Sequence, residues 1–397
     1  GEGGWPYAGG MTAPPRTTSP FTASLDGPRR HTLKWTAHPD DVLPLWVAEM
    51  DVTPAPPVVE AVTQAMERGA TGYPAAGDDY PRALAAFAAE RWGWSFDPSR
   101  ARLVADVMQG SMHVLDLLTA PGDAVVVTPP VYGPFFAFTE MRGRTLVHAP
   151  LDERGRLDPD TLASAFARAT VDGRRAALLL CNPHNPTGIA HTRSELEQVA
   201  PLARAHGVRV VSDEIHGPLV RPGATYTSWL DVDGGEDGFA LLSASKAWNL
   251  AGLKAAVAVA GPAAVDELAT LPEVVGHGPS ALGILAHTVA LESGRDWLDE
   301  VVAGIDRNHD LLAELVTEHL PDVDLLPVEA TYLAWLDFRR TGLGDDPAAA
   351  LLERGRVALS GGTFFGPGGD GFARLNVATT PELLREGVRR IAGVVAG

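Results

Sequence analysis

Phe239-Ala-Leu-Leu-Ser-Ala-Ser-Lys246, followed eight residues later by a second lysine, Lys254, is the stretch on which the reading of this chain turns. The four apolar residues Phe239 to Leu242 read as a buried strand, and three small residues then lead to a lysine. An amine just past a buried strand, between small neighbours, is placed to form a Schiff base with an aldehyde. The hydroxyls of Ser243 and Ser245 and the charge of Lys254 suit an attached phosphate. Most lysines are solvated surface residues, so the motif takes its meaning from the rest of the chain.

Two segments supply what a pyridine ring needs. Asp213 follows the strand-like Val208-Arg-Val-Val, where a carboxylate can keep a ring nitrogen protonated; otherwise it is a turn or capping aspartate. His216, three residues on, is read as a contact to the ring's phenolic oxygen, as packing below the ring, or as a structural histidine. In Cys181-Asn-Pro-His-Asn-Pro-Thr-Gly188, two prolines and a glycine fix the backbone around Asn185. Its amide suits a bond to both a ring oxygen and a substrate carboxylate, and the alternative is a rigid turn without a ligand.

Further residues fit the same ligand. Gly110-Ser111-Met112 reads as the start of a helix, whose free amides and dipole attract phosphate, or as an ordinary N-terminal cap. Tyr132, in Pro129-Pro-Val-Tyr-Gly-Pro134, either stacks on a pyridine face or is a loop aromatic. Arg374, flanked by Phe372 and Leu375, offers two parallel donors to the carboxylate of an amino acid, the alternative being a surface ion pair. Together these residues point to pyridoxal 5′-phosphate (PLP) as cofactor and to an amino-acid substrate; no metal site is expected.

Apolar strands alternate with helical patterns from about residue 55 to 290. Strands are expected at 124–128, 176–181, 208–212, 239–243 and 255–260, with helices around 158–170, 194–206 and 261–270. Continuously apolar short strands of this kind imply an α/β fold with a mostly parallel sheet covered on both faces. Ligands of such sheets sit beyond the carboxyl ends of the strands, where the polar motifs fall. A long helix near 296–320, strand-like stretches at 332–338, 357–360 and 372–377, and a helix from Pro381 read as a smaller α+β lobe. The expected organisation is a flexible arm over 1–27, a segment over 28–54 joining the small domain, a large domain over 55–294 and a small one over 295–397.

The chain has 397 residues, with 32 basic against 50 acidic side chains and a formal charge of −18. That balance argues against nucleic acid or an anionic membrane as partner. The single cysteine, Cys181, excludes an intrachain disulfide framework and is compatible with a cytoplasmic setting. No apolar run approaches a membrane span, and the first residues lack the features of a signal peptide.

The chain resembles the fold-type I PLP enzymes of the class I/II aminotransferase superfamily, and within it the cystathionine β-lyase-like C–S lyases. The resemblance runs from about residue 28 to the C-terminus. It is carried by Leu45-Trp-Val-Ala-Glu-Met-Asp51, Thr71-Gly-Tyr-Pro74, Cys181 to Gly188, Ser212-Asp-Glu-Ile-His216, Ser245-Lys246, Phe365-Gly-Pro-Gly-Gly-Asp-Gly-Phe372 and Arg374-Leu-Asn376. It implies that Lys246 binds PLP, Asp213 meets the ring nitrogen, Asn185 meets the ring oxygen and Tyr132 stacks. It also implies that Ser111, Ser243 and Lys254 surround the phosphate, that Arg374 binds the substrate carboxylate and that Trp46 lines the substrate entrance. The implied assembly is a homodimer in which Tyr73 reaches the phosphate of the neighbouring subunit. Familiar aminotransferases carry tyrosine at His216 and arginine at Lys254, and Gly217 to Trp229 lacks the histidine-rich pattern of the C–S lyases.

The activity this implies is α,β-elimination on an S-substituted cysteine such as cystathionine, giving thiol, pyruvate and ammonia. Transamination is the runner-up, since it uses the same lysine, and a related PLP enzyme acting on a cysteine S-conjugate in a biosynthetic pathway is a further variant. An effector-sensing domain of a transcription regulator would need a DNA-binding module that the short Pro/Gly-rich N-terminal stretch does not supply. A dinucleotide-dependent reductase fails on the spacing of Gly361-Gly-Thr-Phe-Phe-Gly-Pro-Gly-Gly.

Overall fold

A computed structural model of the protein describes residues 19–24, 26–27, 30–74 and 77–397. The five apolar stretches read from the sequence between residues 124 and 260 join two edge strands in one seven-stranded sheet. Its order from one edge is Ala101–Val104, Ala256–Ala260, Phe239–Leu242, Arg209–Asp213, Ala176–Cys181, Ala124–Val127 and Thr145–His148. Ala256–Ala260 alone runs opposite to the other six strands, so the sheet is mostly parallel, as expected. Every residue of the four strands that begin at Ala124, Ala176, Phe239 and Ala256 is buried, which is what helices on both faces require. The edge strands Ala101–Val104 and Thr145–His148 include exposed positions and do not stand out in the sequence as apolar runs.

Register sets the site. Cys181 pairs with Asp213, and Asp213 with Leu241, so three adjacent strands end level with one another. Asn185 and Lys246 leave from the outer two ends, on either side of Asp213. The helix Val107–Leu118 lies directly on the sheet at Gly110, where a Cβ would stand 2.7 Å from Val104 Cγ2 and 2.8 Å from Leu241 Cδ1. Only glycine allows that approach.

Two expected helices differ in extent. The helix expected over 261–270 is the short Val265–Ala269, and the one expected from Gly110 begins three residues earlier, at Val107, with Asp106 as its N-cap. Asp106 fits that place because its carboxylate accepts from the Gln109 N–H at 2.8 Å.

Beyond the helices Ala281–Ser293 and Arg295–His319, the chain forms a four-stranded antiparallel sheet built on Leu333–Asp337 and Phe372–Asn376. Leu43–Pro44 pairs in parallel with Val357–Ala358, tying the N-terminal segment to this lobe. We propose the lobe boundary between Gly294 and Arg295, where one helix ends and the next begins. Residues 1–18 and 25 of the expected arm lie outside the described residues. Its end is no arm: Phe21 is buried and bridges to Val52, and Pro20 packs on the helix Arg295–His319 at Gly304. An aromatic ring with an apolar place to go overrides the Gly/Pro texture around it.

The segment leading to the site is fastened by a buried ion pair. Lys34 and Asp51 are each 1% exposed and meet at 2.8 Å, and the Trp35 Nε1–H donates to the other Asp51 oxygen at 2.7 Å. Lys34 also donates to the Glu49 carbonyl at 3.3 Å. Removing one partner strands a buried charge. Asp51→Ala is therefore expected to lower stability by about 3–5 kcal/mol, read as a fall in the urea midpoint. Asp324→Ala, which breaks an exposed pair with Arg340, should move that midpoint little.

Candidate active site

A cleft of about 260 Å³ opens beyond the strand ends. Of the residues expected in the site, it is lined by Lys246, Asp213, Asn185, His216, Tyr132, Ser245 and Lys254. Ala48, Cys181, Asp106, Val107, Met108 and Gln109 complete much of its wall.

The Lys246 amine rests on the Ala48 carbonyl, at 3.0 Å. Burial lowers its pKa to about 8, and the Arg374 charge adds to the fall, while Glu49 and Asp213 act against it. Tyr332, fully buried, donates to the same carbonyl at 3.0 Å. Tyr332 is not among the expected site residues; in the sequence it reads as one more aromatic in an apolar strand.

Asp213 has one oxygen fixed by the Ile215 N–H at 3.2 Å, and among the described residues nothing donates to the other. Burial raises its pKa to about 7, with neighbouring Glu214 adding to the rise. Glu214 is a structural carboxylate. It takes Ser228 Oγ at 2.7 Å, the Trp229 N–H at 2.8 Å and the Tyr226 hydroxyl, and so braces the strand end that carries Asp213. His216 is 3% exposed, and its Nδ1 has no partner among the described residues. Burial lowers its pKa to about 3, so the ring is neutral.

Arg374 is 5% exposed and reaches three acceptors: Asn185 Oδ1 at 2.8 Å, the Trp46 carbonyl at 3.0 Å and Ser360 Oγ at 3.2 Å. Its Nε is buried without a partner, and its guanidinium lies 5.0 Å from the centre of the Phe365 ring. Among the described residues no carboxylate neutralises it. Burial lowers its pKa to about 10, which leaves it charged. A buried, uncompensated guanidinium bonded to an amide at the cleft calls for an anion.

Other expectations need correction. Ser111 is buried within its helix, and its Oγ donates to the Val107 carbonyl at 2.8 Å; Met112 is fully buried core. Gly110 is a packing position. The first-turn residues that line the cleft are instead Val107, Met108 and Gln109, which follow from the earlier helix start. An aspartate before an apolar run is the sequence signal that places this start. Ser243 Oγ donates to the Ala255 carbonyl at 2.8 Å and accepts from the Ser245 N–H at 3.1 Å, so it shapes the turn carrying Lys246 and does not line the cleft. The Trp46 ring donates to the Lys34 carbonyl at 3.3 Å and packs edge-on to His38; its carbonyl is what meets Arg374. Tyr73 needs no such correction: expected to reach a neighbouring subunit, it is 98% exposed and lies apart from the cleft of its own chain.

The donor set fits PLP. An amine held by a backbone carbonyl suits an aldehyde, a buried carboxylate with a free oxygen suits a pyridine nitrogen, and helix amides with Lys254 and Ser245 suit a phosphate.

The family described as aminotransferase class I and II matches residues 40–391, and the chain belongs to it. Among its relatives, a Mycobacterium tuberculosis protein provisionally named a cystathionine β-lyase is 49% identical over 385 residues, 92% of this chain and 94% of that one. The cystathionine β-lyase of Corynebacterium glutamicum is 36% identical over 92% of this chain and 97% of its own. A crystal structure from Corynebacterium diphtheriae, provisionally described as a PLP-dependent β-cystathionase, superposes with a TM-score of 0.86 at 35% identity, covering 92% of this chain and 96% of that one. The fold is that of the fold-type I PLP enzymes.

In the cofactor-free protein, acylation of Lys246 followed by peptide mass spectrometry should show a midpoint near pH 8, the pKa to which burial brings the amine, about 8. Because the Arg374 cation disfavours a charged amine, Arg374→Gln should move that midpoint upward. A wild-type midpoint in the ordinary lysine range would contradict this electrostatic picture.

Proposed function

We propose that this protein is a PLP-dependent C–S β-lyase that cleaves an S-substituted L-cysteine such as cystathionine into a thiol, pyruvate and ammonia. The observation that carries the reading is the convergence in one cleft of the Lys246 amine, the Asp213 carboxylate and the Asn185 amide bonded to Arg374. The cystathionine β-lyases among the relatives support the choice of elimination.

PLP, when bound, supplies an electron-accepting ring that stabilises negative charge at the substrate Cα. The chain's own residues do the rest. Arg374 and Asn185 hold the substrate carboxylate, the guanidinium through its unpartnered Nε–H and the edge now shared with Ser360. Lys246, with a pKa of about 8, is a base at neutral pH in a useful fraction of molecules and takes the Cα proton. Asp213 would keep the ring nitrogen protonated, since a cation beside it restores its ionised form. His216, neutral and unpartnered at Nδ1, and Tyr132 both line the cleft; the first would bond the ring oxygen and the second would flank the ring. Ser245 and Lys254 belong to the phosphate end, with the amides of Val107 and Met108.

The exposure of Tyr73 fits a homodimer in which it completes the phosphate site of the partner subunit. Among the described residues no helix is long and apolar enough to cross a membrane. A cytoplasmic setting suits a chain whose one cysteine is a free, buried thiol.

The direct test supplies cystathionine or S-methylcysteine to the PLP-loaded protein without any oxo-acid. Pyruvate and thiol should appear in equal amounts. Product that strictly requires an oxo-acid acceptor would instead make this an aminotransferase. Lys246→Ala should lower turnover by about 10³-fold or more, the scale of a lost base. Arg374→Ala should raise KM more than it lowers kcat, because the carboxylate contact exists before and during the reaction.

A further inference from the structure

The wall formed by the start of the helix Val107–Leu118 carries an anion of its own. Asp106 Oδ1 accepts from the Gln109 N–H at 2.8 Å, and Asp106 Oδ2 accepts from Lys254 Nζ at 2.9 Å. Both Asp106 and Lys254 line the cleft, with the amides of Val107 and Met108 between them in the first turn. Among the described residues nothing accepts from those two amides. The carboxylate therefore engages the lysine of this wall, the cation that a phosphate seated on those two free amides would also draw on. The Lys254–Asp106 pair sums to zero charge where a lone lysine would supply one positive charge. Lys254 is 57% exposed and Asp106 30%, so the pair can open without leaving a buried charge behind.

We propose that Asp106 is an internal competitor of the cofactor phosphate, so that this protein holds PLP less tightly than its other contacts allow. The inference rests on the functional reading above, because it concerns how that cofactor is retained. To seat the phosphate, Lys254 turns from the carboxylate to the ligand, and the carboxylate remains nearby as a like charge. Occupancy then follows the supply of PLP instead of being fixed once at folding. Lysine in place of a bidentate arginine deepens the effect, since an ammonium divides its donors between two anions less favourably than a planar fork does.

The test is equilibrium dialysis of PLP against the wild type, Asp106→Asn and Lys254→Met, with pyridoxal, which lacks the phosphate, as the control ligand. Asparagine keeps the helix cap and removes the charge. Asp106→Asn should bind PLP about tenfold more tightly, the scale of one charge–charge contact at a partly exposed site, with pyridoxal unchanged. Lys254→Met should weaken PLP by a similar factor and leave pyridoxal alone. Unchanged or weaker PLP binding by Asp106→Asn, or equal tightening of pyridoxal, would overturn the proposal. Asp106→Ser, which also caps, provides the same comparison should the asparagine variant fold poorly. If the wild type binds no PLP at all, the functional reading itself fails; normal wild-type binding with an indifferent Asp106→Asn removes this inference alone.

Discussion

The site depends on keeping two cations, Lys246 in the cleft and Arg374 behind the Asn185 amide of its wall, with no carboxylate among the described residues paired to either. Each is desolvated, and the Arg374 charge further lowers the proton affinity of Lys246. Such an arrangement costs stability in the empty protein, because buried charge is favourable only when matched. In the proposed function the match is left for ligands: an aldehyde for the amine and a carboxylate for the guanidinium. The same low polarity raises Asp213, which then waits for a cation of its own. Three mismatched groups around one cavity thus define the chemistry more sharply than any of them does singly.

Backbone carbonyls of a single segment hold the mismatch in place. Trp46 meets Arg374, Ala48 meets Lys246 and Tyr332, and the Val47 and Glu49 carbonyls accept from Asn376 Nδ2 at 2.8 and 2.6 Å. Carbonyls stabilise ammonium and guanidinium groups without neutralising them, so the cations remain available. The segment is itself anchored by the buried Lys34–Asp51 pair and by the strand pairing of Leu43–Pro44 with Val357–Ala358. The N-terminal chain therefore acts as a strap across both lobes, with Phe21 already packed against it. This links global stability to the placement of the lysine amine.

Much of this is legible in the sequence for a physical reason. Central parallel strands are buried on both faces, so their unbroken alanine, valine and leucine runs stand out. Ala124–Val127, Ala176–Cys181 and Phe239–Leu242 lie where that apolar texture puts them. Side chains whose chemistry is the signal, such as Lys246, Asp213 and Asn185, come together in space because parallel strands end level. Side-chain direction and backbone participation are what the sequence hides. Ser111 and Ser243 have the right chemistry but spend their hydroxyls on local carbonyls. Ala48 has no functional side chain at all, yet its carbonyl receives the lysine. Gly110 has the look of a phosphate glycine, and that likeness displaces the expected helix start by about one turn. Its missing Cβ serves contact with Val104 and Leu241 instead.

The central claim is that the amine of residue 246, and no other, is the covalent seat of the cofactor. Incubation with PLP, reduction with borohydride and peptide mass spectrometry test it directly. A phosphopyridoxyl group confined to Lys246 is the result this account predicts. Labelling of Lys254 or Lys34 in its place, or no reducible adduct under saturating PLP, would contradict it.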